Sequence, residues 1–384
     1  MTDDVQRSPG WSDWRWQIAN AITTVEALKD WINVTPDEEK AIAATSARYR
    51  WRITPYYASI MDPVDPRCPV RLQAIPHLDE IRPNVYAELD PVGDMHYRRT
   101  ARLIHKYPDR VAILVSSTCP VYCRHCTRKY HTTDKTGTYY GEDRSSSFEP
   151  DLEYIRRRPQ IRDVLLTGGD PLMLPTRRLE QLIEKLRDIP HIELIRIGSR
   201  FPVLLPQRVD AELVSMLARY KPLYFITHFN HSKEITAEAV SACHSLADNG
   251  IPVLNQTVLL AGINDQRDEL LMLFRQLGKH RVLPYYLYHC DDVNGVSHFV
   301  CTIASGRQLM EGLWGHTTGF VLPRYILTTH LGKLPLWPGQ LTTTADGYEL
   351  SSHTGGHIVV SERGTRVASS PMSWPGMPFE GTRG

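Results

Sequence analysis

From about residue 110 the apolar positions fall into short, β-branched runs separated by longer segments with helical spacing. The runs are Val111–Ser116, Asp163–Thr167, Glu193–Gly198, Leu223–Thr227, Val253–Leu260 and Leu283–Tyr288. Between them lie Leu152–Arg158, Arg178–Arg187, Ala211–Tyr220, Ala237–Asn249 and Glu269–Lys279, each with one apolar face. Short runs of this kind predict buried strands, and the 3.6-residue recurrence predicts helices packed on them. Six strand–helix repeats predict an α/β fold with a parallel sheet covered by helices. Six falls short of eight, so the expectation is a partial (β/α)6 TIM-like barrel, either open or closed.

The ends read differently. The first hundred residues are helical and aromatic-rich. Thr23-x-x-Glu26 has the spacing of a capping box, and Thr35-Pro36-Asp37-Glu38 starts another helix with Pro at its first position. Prolines crowd from Pro55 to Pro83 and forbid long regular elements there. These residues predict a helical N-terminal cap, with its Trp residues as core. After a helix at Thr302–Trp314 the chain turns to Gly, Pro, Thr and Ser, and Ser352–Gly384, with few apolar anchors, is expected to be an irregular tail. The expected division is 1–104 as the cap, 105–316 as the barrel and 317–384 as a C-terminal segment.

Composition narrows the partners. The 384 residues carry 44 Lys and Arg against 43 Asp and Glu, a formal charge of +1, with no global electrostatic pull toward nucleic acid or an anionic membrane. No stretch of 18 apolar residues could span a bilayer, and Met1-Thr2-Asp3-Asp4 does not open a secretory signal. A cytoplasmic protein acting on small molecules is expected. Seven Cys are too few and too scattered for a disulfide framework, yet three of them stand within eight residues.

That cluster is Cys119-Pro-Val-Tyr-Cys123-Arg-His-Cys126, directly after the first strand. Three close thiolates suit a soft metal centre. A structural zinc would take a fourth Cys or His from a second knuckle, and no second C-x2-C exists. Three ligands without a fourth fit a 4Fe–4S cluster with one open iron. A zinc-stabilised binding protein is the alternative from another class.

C-x3-C-x2-C at the end of a first barrel strand resembles the radical S-adenosylmethionine (SAM) superfamily, in which SAM chelates the open iron. One βα unit later, Leu165-Leu166-Thr167-Gly168-Gly169-Asp170 resembles the superfamily's glycine-rich loop for the SAM amino group. The resemblance implies a radical SAM barrel with its site at the C-terminal mouth of the strands, and an external one-electron reductant as partner.

A narrower resemblance, over about residues 50–340, is to the lysine 2,3-aminomutase family. Its carriers include His105-Lys-Tyr-Pro-Asp-Arg110, Cys123-Arg-His-Cys-Thr-Arg128, Ile195-Arg-Ile-Gly-Ser-Arg200, Asn255-Gln256, Pro284-Tyr-Tyr-Leu-Tyr288 and Gly315-His-Thr-Thr-Gly319. It implies pyridoxal 5′-phosphate (PLP) beside SAM and the cluster, a free amino acid as substrate, and a homo-oligomer. By position Lys333 in His330-Leu-Gly-Lys333 is the lysine that carries PLP, its proton loss favoured by desolvation. Lys106, Tyr107 and Arg110 match the segment that contacts PLP, with the basic chains on its phosphate. The family usually has Arg where Lys106 stands, and a longer glycine run before the lysine. Gly168, Gly169, Asp170, His125 and Gln256 match positions around SAM. Arg128 matches the clamp on the substrate carboxylate.

For the substrate's far end, the lysine enzymes use two aspartates. Asp291 matches the first, and Thr328 stands near the second. One retained carboxylate argues for a cationic terminus. The loss of the other suits a guanidinium held bidentately by Asp291, with Thr328 or Asp292 taking a remaining N–H. Arginine is therefore the first expectation and lysine the second. A radical SAM enzyme that does without PLP is a further alternative.

Overall fold

The computed structural model describes residues 8–85, 87–136, 147–352 and 355–369. Its centre is a nine-stranded sheet in simple chain order. The strands are β1 (Leu103–Tyr107), β2 (Arg110–Ser116), β3 (Asp163–Gly168), β4 (Leu194–Gly198), β5 (Leu223–Thr227), β6 (Val253–Leu259), β7 (Val282–His289), β8 (Arg324–Thr329) and β9 (Gly332–Pro335). Strands β2 to β8 are parallel, each crossing over to its next neighbour, while β1 and β9 pair antiparallel at the two edges. The six expected strands are β2 to β7, each followed by a helix, so the (β/α)6 reading holds. Among the described residues β1 and β9 do not pair with each other, so the barrel is open.

The helices bury the stripes their spacing predicts. Thr176–Arg187 turns Leu179, Leu182, Ile183 and Leu186 inward, and Arg267–Lys279 does the same with Leu270, Leu273, Phe274 and Leu277. Full burial of one such side chain is worth about 1.5–3 kcal/mol.

Short helices form the N-terminal cap, among them Trp14–Ala19, Pro36–Thr45 and Pro55–Ser59. Thr35 and Glu38 make the expected reciprocal capping box, with Pro36 at the first position. The earlier cap is Thr24 rather than Thr23: its side chain takes the N–H of Ala27. Of the cap tryptophans, Trp51 is buried, while Trp11, Trp14 and Trp31 pack partly buried against the common core.

The C-terminal segment departs from expectation. The sheet runs past residue 316 through β8 and β9, and an antiparallel meander follows whose last two strands lie in the expected irregular tail. The meander's strands are β10 (Leu341–Thr344), β11 (Gly347–Ser351), β12 (His357–Val360) and β13 (Arg366–Ser369). Tyr348, Leu350, Ile358 and Val360 join the main core, four anchors too widely spaced to stand out in the sequence. Residues 370–384 lie outside the described residues. Among the described residues no helix is long and apolar enough to cross a membrane.

Candidate active site

One cavity of about 350 Å³ occupies the barrel interior and its C-terminal mouth. Its walls include Cys119, Cys123, Cys126, His125, Arg128, Gly168, Gly169, Asp170, Gln256, Asp291, Thr328, Lys333, Lys106, Tyr107 and Arg110, so every site residue expected from the sequence except Asp292 borders the same space.

The three cysteines sit on the loop after β2, where no regular element fixes the backbone. Ion pairs with the cap fix it instead. Glu80, fully buried, takes Arg124 at 2.8 and 2.5 Å and Lys129 at 2.7 Å. Arg124 also donates to the carbonyl of Arg50, and Lys129 to that of Gly295. Burial alone would raise the Glu80 carboxyl, but the two cations outweigh it and hold it at about 2. The sequence pointed to the cysteines; this clamp around them is visible only in three dimensions. Arg200 completes the support, with Nη1 donating to Cys123 Sγ at 2.8 Å and Nη2 to Glu234 at 2.8 Å.

Burial pushes the Cys119 and Cys126 thiols above their usual range, so without a metal they hold their protons. Such a donor set fits a soft, highly charged centre that stabilises thiolates. Its three members and the absence of a fourth on the loop fit a 4Fe–4S cluster. Cys68, Cys243, Cys290 and Cys301 are buried elsewhere as free thiols.

Beside the cysteines, Gly168 and Gly169 are required by close packing. A Cβ on Gly168 would lie 2.5 Å from the Ser116 carbonyl oxygen, and one on Gly169 2.4 Å from that of Thr118. Glycine here lets the end of β3 press against the cysteine loop. Asp170 is occupied structurally: it accepts from Ser199 Oγ and from the backbone N–H groups of Leu172 and Arg200. His125 Nε2 pairs with Asn230 Nδ2 at 3.2 Å, while His125 Nδ1 and His228 Nε2 are buried without hydrogen-bond partners. Orphaned buried polar atoms facing a cavity fit a polar ligand of the size of SAM. Gln256 reaches the same wall from β6.

Deeper in the barrel is Lys333, on β9. Its Nζ lies over the rings of Tyr286 and Tyr288, 5.1 and 5.7 Å from their centroids, and its backbone N–H donates to the Tyr107 hydroxyl. Removal from water, helped by Arg196 and Arg110, lowers the Lys333 ammonium to about 7. Arg110 stacks 3.8 Å from the Tyr107 centroid, and Arg196 is held by Asp163 at 2.8 Å. An easily deprotonated lysine near two guanidinium groups fits PLP, the amine meeting the aldehyde and the cations the phosphate. Arg196 was missed from the sequence. Its signal is a charge at the middle of Leu194-Ile-Arg-Ile-Gly198, on the face opposite Ile195 and Ile197. Lys106 points elsewhere: its Nζ donates to the carbonyls of Val92 and Thr329.

On the same loop as the cysteines, Arg128 Nε donates to Asp94 at 2.8 Å. Asp291 accepts from Thr127 Oγ1 at 2.7 Å through one oxygen, while its other oxygen is buried with no partner. Burial raises the Asp291 carboxyl to about 7. Thr328 faces Lys333 across the β8–β9 pair. Asp292, expected to help hold a guanidinium, is committed to Ser297, Asn84 and Thr365 and is not among the residues lining the main cavity.

This barrel and cysteine site define a radical SAM enzyme, and residues 113–274 match the model of the radical SAM superfamily. The chain is 45% identical over 330 residues to the L-lysine 2,3-aminomutase of Clostridium subterminale, covering 85% of this chain and 78% of that one. It is 42% identical to the L-lysine 2,3-aminomutase of Bacillus subtilis over 85% of this chain and 69% of that one. To the glutamate 2,3-aminomutase of Clostridioides difficile it is 37% identical, over 92% of this chain and 83% of that one. The chain belongs to the radical SAM family of amino-acid 2,3-aminomutases, isomerases that use a 4Fe–4S cluster, SAM and PLP.

Proposed function

We propose that the enzyme moves the α-amino group of a cationic L-amino acid, lysine first, to the β-carbon. The observation that carries this is the unpartnered, buried oxygen of Asp291, in the cavity that also holds Lys333, Arg128 and the three cysteines. A buried carboxylate oxygen without a donor is costly, and a substrate ammonium would satisfy it. A glutamate side chain would bring a second carboxylate to the same place. The relatives named above favour lysine and lend no support to the expected arginine preference, which also loses Asp292 as a second acceptor.

When bound, SAM on the reduced cluster supplies a hydrogen-abstracting 5′-deoxyadenosyl radical, and PLP supplies the π-system that lets nitrogen migrate. The chain's own work is positioning. Arg128 is oriented by Asp94 to receive the α-carboxylate, and Asp291 with Thr127 receives the distal cation. Two such anchors would fix the carbon chain between them, leaving C2 and C3 facing the cofactors. Lys333, neutral above about pH 7, is poised to exchange its place with the substrate amine. The cap, through Glu80, holds the cysteine loop in place.

The test is to incubate the anaerobically reconstituted enzyme in parallel with L-lysine, L-arginine and L-glutamate. β-Lysine as the main product is expected. β-Glutamate alone would overturn the charge argument, and β-arginine alone would replace lysine with the guanidinium substrate.

A further inference from the structure

The two edges of the sheet approach each other without pairing, and two adjacent side chains of β1 cross the gap. Tyr107 accepts the backbone N–H of Lys333 on β9. Lys106 goes to the other side. Its ammonium donates to the Thr329 carbonyl at the end of β8, at 2.6 Å, and to the Val92 carbonyl of the loop that carries Asp90 and Asp94. Lys106 is 9% exposed, and its Nζ lies 5.6 Å from the Tyr97 ring centroid. An ammonium has three N–H donors, and two of these are committed to carbonyls. The charges that act on it most are Asp94 and Asp90 of that loop and Asp291 on the cavity wall, opposed by Arg128, which is itself paired with Asp94. Arg196 and Arg110 are instead the leading cations acting on Lys333.

We propose that Lys106 determines substrate specificity, as the internal counter-cation of the acidic end of the cavity, and that the PLP phosphate is left to Arg110 and Arg196. This rests on the reading that the substrate's distal cation meets Asp291. Lys106 ties the Val92–Asp94 loop to the Thr328–Thr329 strand end, the two walls beside that cation. Asp94 is already paired with Arg128, so the charge of Lys106 offsets part of the field of Asp291 and Asp90, and the pocket accepts a single positive charge without becoming strongly acidic. A phosphate dianion could claim this ammonium only by drawing it away from two buried carbonyls, leaving both unsatisfied.

The experiment uses the PLP-loaded enzyme and its Lys106→Met and Lys106→Gln variants; Gln keeps N–H donors for the two carbonyls and loses the charge. Kd values for L-lysine and for neutral, nearly isosteric L-norleucine are read from the change in the pyridoxal absorbance. PLP affinity is measured by equilibrium dialysis. In both variants the preference for lysine over norleucine should rise by about threefold or more, because a repelling cation has gone. PLP affinity should stay within about twofold, whereas Arg196→Gln should weaken it about tenfold or more. Weakened PLP binding in the Lys106 variants with an unchanged lysine–norleucine ratio would overturn the proposal. So would an unchanged ratio with PLP affinity intact. If the unsubstituted enzyme does not prefer lysine to norleucine, the cationic-substrate reading itself fails, which is a separate result.

Discussion

Glu80→Gln removes the central charge of a triad in which all three side chains are at most 1% exposed. The carboxyl lies at about 2, against 4.5 for an unperturbed glutamate. At about 1.4 kcal/mol for each tenfold change in proton affinity, that gap corresponds to about 3 kcal/mol of folding stability. The same figure comes from the other direction: removing one partner of a buried ion pair costs about 3–5 kcal/mol, because the remaining charges are left uncompensated. Because the folded-state value is depressed, the contribution is fully present above about pH 5 and is lost as pH falls toward 2. Urea unfolding of the two proteins at pH 7 should differ by about 3 kcal/mol, and the difference should shrink on acidification. The variant should also retain less iron after reconstitution, since Arg124 and Lys129 flank the cysteines. A loss under about 1 kcal/mol at pH 7, or one that stays constant down to pH 2, would refute the reasoning.

Other consequences follow from the same geometry. Lys333→Ala should abolish the visible absorbance of bound pyridoxal while the iron–sulfur spectrum persists; an unchanged pyridoxal spectrum would reject Lys333 as the carrier. With its ammonium lowered to about 7, Lys333 is neutral above that value, so the rate of PLP loading should climb between pH 6 and 8 and then level off. A rate still climbing at pH 10 would mean an ordinary lysine. Arg128→Lys keeps the charge but loses the planar fork, and should raise the KM for the amino acid about tenfold or more; an unchanged KM would remove Arg128 from the carboxylate.

Periodicity located β2 to β7 within a residue or two because each is apolar, β-branched and bounded by an amphipathic helix. β1 escaped because Leu103-Ile-His-Lys-Tyr107 mixes polar and apolar residues, and the backbone on its outer side is paired only by the irregular segment at Tyr97–Arg99. The meander escaped because Leu341-Thr-Thr-Thr344 and Arg366-Val-Ala-Ser369 have little apolar content and acquire a register only from β11 and β12. The site's residue types were legible through the cysteine spacing and the ordered motifs. Their partners were not. Glu80 lies 44 residues from Arg124, and Lys106 lies 223 residues from Thr329. The motif placed Gly168, Gly169 and Asp170 at the cavity wall, but their packing of the cysteine loop against β3 and the end of β4 was not legible in it.

Nitrogen migration is the claim on which the rest depends. L-Lysine labelled with 15N at the α-position, incubated with enzyme, SAM, PLP and a one-electron reductant, can be followed by NMR. The account predicts 15N on C3 of the product, with the shift abolished when any one of Cys119, Cys123, Cys126 or Lys333 is replaced by Ala. SAM cleaved to 5′-deoxyadenosine while the label stays on C2 would contradict it.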